Sequence, residues 1–145
     1  MKFSKWQGCG NDFVIVDFLD HEPVDFAVLA REMCDRHFGV GADGLMAACP
    51  SETADVRMRE FNPDGTEPEM CGNGIRCVGK YVYDFGLTDK DEVRIETGVR
   101  TEEEESTGEI PKNRIKILKL KIEECKVVSA TVDMGKPILT PSEIP

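Results

Sequence analysis

The sequence predicts an α+β fold built on a strongly curved sheet. Two observations carry that expectation: only two stretches have helical periodicity, and they sit among many short stretches that alternate at period two. Frequent turn signals between them keep the strands short. With 145 residues, 40 % of them hydrophobic, the chain can form one packed domain or one and a fraction.

Taken in order, "KFSKW" is a short amphipathic strand, "QGCGND" a turn and "FVIVDF" an apolar, β-branched strand. Pro23 and Asp25 mark a helix start. Apolar residues at Phe26, Leu29, Ala30 and Met33 follow with i, i+3, i+4, i+7 spacing, so an amphipathic helix is expected to end near Gly39. "GVGADGLMAA" reads as a glycine-rich turn and a buried strand. "ADVRMREF" alternates at Val56 and Met58 until the turn at "NPDG". After Gly74, apolar residues at Ile75, Val78, Val82 and Phe85 define a second, substantially buried helix capped by Gly86. "EVRIET", "RIKILKLKI" and "KVVSATVDM" alternate as strands, with one slip in phase at Leu118. The run of four glutamates in "RTEEEESTGEIPKN" is expected to form a solvated hairpin tip.

Composition removes several function classes. A net charge of -10 and a pI of about 4.7 argue against nucleic acid and anionic membrane as partners. No apolar run approaches the roughly 20 residues of a membrane helix. "MKFSKWQGCGNDF" has no apolar signal-peptide core, so a cytoplasmic location is expected. There the six cysteines, Cys9, Cys34, Cys49, Cys71, Cys77 and Cys125, should be free thiols. No C-x-x-C pair occurs, and His21 and His37 are not spaced for zinc, so no metal site is expected.

The segment "FNPDGTEPEMCGNGIRC" concentrates the chemistry. Cys71 stands just ahead of a helix, whose unsatisfied N–H groups and positive dipole end favour a thiolate. On that reading its pKa is lowered. Gly72 and Gly74 allow a tight turn and leave room for a ligand. The N–H groups of residues 72 to 74 then suit a carboxylate, with Asn62 and Asn73 adding amides. A base beside a carboxylate clamp would remove a proton alpha to a carboxylate. The competing reading is a small buried cysteine in an ordinary turn, and the residues alone leave the two evenly balanced.

"FSKWQGCGNDFVIVD", "CDRHFGVGADGL" and "FNPDGTEPEMCGNGIRC" together resemble the N-terminal half of the diaminopimelate epimerase family. The last matches the family signature around its first catalytic cysteine. The resemblance covers about the first 100 residues well and returns at "VDMGKPILTPSEIP". It implies a diaminopimelate epimerase-like half, a mixed sheet curled into a barrel around a central helix. It also implies a cofactor-independent enzyme that interconverts LL- and meso-diaminopimelate, a step supplying lysine. Two cysteines would face opposite sides of the α-carbon, one taking a proton as the other returns one. By motif, Cys71 is one acid/base, and Asn11, Asn62, Gly72 and Asn73 are substrate contacts.

The family's second cysteine lies in a second half whose motif is absent here, and Cys77, Cys34, Cys49 and Cys125 are not suitable replacements. Residues 1–125 are therefore expected to form the first domain and 126–145 to begin a second, otherwise missing one. The chain is expected to be inactive alone. Its expected partners are the substrate, the C-terminal half with the second cysteine, and a second copy in a homodimer. Two other readings stay open: a two-thiol racemase acting on another amino acid, and a half-protein that only binds a ligand or partner.

Overall fold

A computed structural model describes residues 2–17 and 24–135. The readings of His21, Pro23 and residues 136–145 fall outside the described residues. Among the described residues, β1 (Phe3–Gly8) and β2 (Asn11–Asp17) form an antiparallel hairpin. Its turn is only Cys9 and Gly10, with φ of 55° and 84°. Two left-handed residues in succession match the twist of the flanking strands, so the turn is tighter than the sequence suggested.

Helix α1 (Phe26–Cys34) starts at Asp25, whose carboxylate accepts from the N–H groups of Ala27 and Val28 at 3.0 and 3.1 Å. It stops at Cys34, short of the expected Gly39. The Asp35 carboxylate takes the N–H groups of His37 and Phe38 at 2.7 and 2.8 Å, offering the backbone an alternative to another helical turn. There follow β3 (Gly44–Cys49), β4 (Val56–Phe61), α2 (Gly72–Asp84) and β5 (Glu92–Glu96). A short helix α3 (Glu102–Thr107), one 3-10 turn (Lys112–Arg114), β6 (Ile115–Glu123) and β7 (Lys126–Val132) complete the described elements.

The seven strands of the described residues form one sheet in sequence order. It is mixed: β2–β3 and β4–β5 are parallel and the other pairs antiparallel. Parallel neighbours require a long crossover, and the segments carrying α1 and α2 supply the two. Helix α2 touches every strand, so the sheet curls around it as the expected central helix. Phe13, Ile15, Met46, Met58, Ile75, Val78 and Leu118 pack between them. On the outer face of β2 and β3, Val14, Val16, Leu45 and Ala47 meet Phe26, Ala30 and Met33 of α1. Helices on both faces explain why "FVIV" is an unbroken buried run rather than an alternating one.

Two local expectations are corrected. The glutamate run is helical, not a loop: Thr101 and Glu104 form a capping box, and buried Glu104 pairs with Arg114 at 3.2 Å. Strand β6 has no slip at Leu118, because Leu118 and Leu120 are both buried in regular alternation while Ile117 simply faces outward. The irregularity in its pairing with β7 falls between Lys121 and Ile122. Lys126–Val132 continues the same sheet, and Val127 joins the core around α2.

Candidate active site

The topology brings three ends to one rim of the sheet. Phe13 of β2 pairs with Gly44 at the start of β3, and Leu45 pairs with Phe61 at the end of β4. Asn11 and Asn62, adjacent to those strand ends, therefore share the rim, and the first turn of α2 comes down beside it. Cys71 is the N-cap of α2, with extended φ/ψ of -128° and 117°. Its Sγ accepts the Gly74 N–H at 3.3 Å, the place an oxygen takes in an ordinary N-cap. The Asn11 side-chain amide approaches the same sulfur at 4.0 Å.

The glycines divide their work. A Cβ on Gly74 would stand on the buried side chain of Met46, so that position lets the first helical turn lie directly on β3. A Cβ on Gly72 would meet only the Met134 side chain, at an ordinary contact distance of 3.8 Å. The Asn73 side-chain oxygen accepts from Arg76 at 2.6 Å. Asn62 is held within its own turn, its amide donating to the Thr66 hydroxyl at 2.9 Å. Thus Asn11, Gly72 and Asn73 gather around Cys71, while the amide of Asn62 is committed to the "NPDGT" loop.

The expected lowering of the Cys71 pKa is not found. Burial pushes the thiol above its ordinary value and the charge of Glu60 adds to this, while the N–H groups of Gly74 and Asn73 pull it down. Two of the three amides expected to hold a carboxylate are thus directed at the sulfur. Glu60 went unnoticed in the sequence. It is only 8 % exposed, and burial raises its pKa to about 7. The signal was present in "VRMRE", where a carboxylate follows Val56 and Met58 in the core phase of the strand.

The remaining thiols are placed elsewhere. Cys34 and Cys49 are pushed up to about 11 by burial. Cys77 is buried beside Gly8 of β1. Cys125 is exposed in the β6–β7 turn. Cys9 is exposed in the first hairpin, with its Sγ 3.5 Å from the Arg76 guanidinium.

The family model described as diaminopimelate epimerase matches residues 3–114. This chain belongs to the diaminopimelate epimerase family. The diaminopimelate epimerase of Agathobacter rectalis is 52 % identical over all 145 residues, which span 46 % of that protein. That of Methanococcus maripaludis is 48 % identical over 145 residues, 47 % of its length. The chain thus spans slightly less than half of the family relatives it matches. Among solved structures, a probable proline racemase from Agrobacterium radiobacter superposes with a TM-score of 0.64 at 12 % identity, covering 90 % of this chain and 40 % of that one. A hydroxyproline epimerase from Agrobacterium vitis gives 0.62 at 13 % identity, with the same coverages. These two likenesses establish the curled-sheet fold.

Proposed function

We propose that the chain is the first half of a cofactor-independent diaminopimelate epimerase and that Cys71 is one of its two acid/base thiols. The observation that carries this reading is the seat of Cys71: a half-buried sulfur capping α2, facing helix N–H groups and the Asn11 amide, in a chain of this family. The reaction breaks the Cα–H bond of the LL centre. Its proton goes to a Cys71 thiolate and the electron pair stays on carbon. A thiol on the opposite side then protonates that carbon, inverting the centre. The carbanion is stabilised by groups directed at the substrate carboxylate, the role assigned to Gly72, Asn73 and Asn11. The thiolate is favoured by the helix N–H groups and opposed by burial, a balance suited to a group that both takes and gives a proton.

Incubating the full-length native protein with LL-diaminopimelate in heavy water tests the reading. Deuterium should enter the α-position, and Cys71→Ala should slow its entry by about 10²-fold or more. A protein that only binds would leave the α-proton in place. Exchange into proline instead would identify a racemase with a different substrate. Residues 1–145 alone should give no turnover, since the second thiol belongs to the other half; turnover by this chain would refute that division.

A further inference from the structure

We propose that Glu60 is a positioning residue for Cys71: the carboxyl and the thiol share one proton, and Glu60 governs which form of the sulfur meets the substrate. This rests on the reading of Cys71 as an acid/base. Glu60 occupies the third inward position of β4 after Val56 and Met58, both in the core around α2. It pairs across the sheet with Met46, on whose side chain Gly74 rests. This register puts the carboxyl under the first turn of α2, beside Cys71. Its Oε2 is enclosed without a hydrogen-bond partner, and the Cys71 side chain is the group its carboxyl meets. An enclosed, unpartnered carboxylate oxygen is costly as a charge, so it is a ready proton acceptor.

Among the described residues, the groups acting on Cys71 are Glu60 from β4, the Gly74 and Asn73 N–H groups from α2, and the Asn11 amide from β2. From α2, Cys77 also feels the charge of Cys71. Each of the pair resists ionising while the other is charged. Above about pH 7, where the carboxyl gives up its own proton, the pair holds one proton and one negative charge between them. In the activating step the Cys71 S–H bond breaks, an O–H bond forms on Glu60, and the single negative charge passes to sulfur. The thiolate next takes the α-proton, and Glu60 keeps its own. Cys71 thereby becomes a base without releasing a proton to solvent.

The test is the pH dependence of iodoacetamide alkylation at Cys71, read by peptide mass mapping of the full-length native protein, with Glu60→Gln and Glu60→Met as variants. In the unaltered protein the rate should rise in two steps, the lower near pH 7 and the upper above the ordinary thiol range. Either variant should collapse the two into one step at lower pH than the upper one, giving roughly tenfold faster alkylation on that limb. The rate at Cys125 should not change. Superimposable profiles, or an equal shift at Cys125, would overturn the proposal. Alkylation needs no turnover, so a shifted profile in a protein without deuterium exchange supports the coupling while refuting the epimerase reading. Exchange with an unmoved profile does the reverse.

Discussion

Gly79→Ala pits two effects of similar size against each other. The residue lies at the centre of α2, where exchanging glycine for alanine contributes about 1 kcal/mol of helix propensity. A Cβ there would stand 2.5 Å from one methyl of Leu118 and 3.6 Å from one of Leu120. Carbon atoms prefer separations of roughly 3.5–4.0 Å, so the Leu118 methyl must retreat by about 1 Å. It has little room, because Leu118 is 0 % exposed and Leu120 7 %. Overpacking of this kind costs about 1–3 kcal/mol, and we expect a net loss of about 1 kcal/mol. Urea unfolding followed by fluorescence of Trp6, which packs edge-on against Tyr81 of α2 at 6.1 Å, should show a lower midpoint with unchanged slope. Leu118→Ala should cost about 2–5 kcal/mol alone but measurably less in the Gly79→Ala background, since it removes the clashing methyl. A Gly79→Ala protein stabilised by the full propensity term, with additive double-mutant energies, would refute the close approach of α2 to β6.

Asp25→Ala should cost about 1 kcal/mol, seen as a fall in melting temperature, whereas Asp25→Asn should retain most of the cap; equal losses would remove the cap from the account. For Glu60, whose folded pKa of about 7 lies above the ordinary 4.5, the linked stabilisation is fully present below about pH 4.5 and lost as pH climbs through 7. Glu60→Gln should therefore gain on the unaltered protein by roughly 3 kcal/mol between pH 4.5 and 8, and parallel stability–pH curves would count against a buried, charge-averse carboxyl.

The sequence alone determined the sequence-local features. Helical spacing after Asp25 and after Gly74, alternation in the strands and the "NPDG" turn are set by a few neighbouring residues, and each reappears in the structure. The Cys-Gly-Asn-Gly stretch disclosed the helix end and the cysteine at it, because an N-cap and its helix are contiguous. Tertiary structure decided what depends on residues far apart in the chain. The seat of Glu60 was only half legible: the phase of "VRMRE" turns it inward, but Met46 and Cys71, which it meets there, arrive from other elements. The Cys71 pKa moves opposite to the local signal for a related reason: the helix end is local, but burial and the Glu60 charge come from the sheet. Ile117 broke the apolar alternation without breaking the strand, since only the sheet says which side of β6 meets α2. Gly74 looked like room for a ligand until β3 was seen to lie beneath it. Sequence fixes backbone preference at short range; desolvation, charge proximity and close packing belong to whichever distant segments the fold brings together.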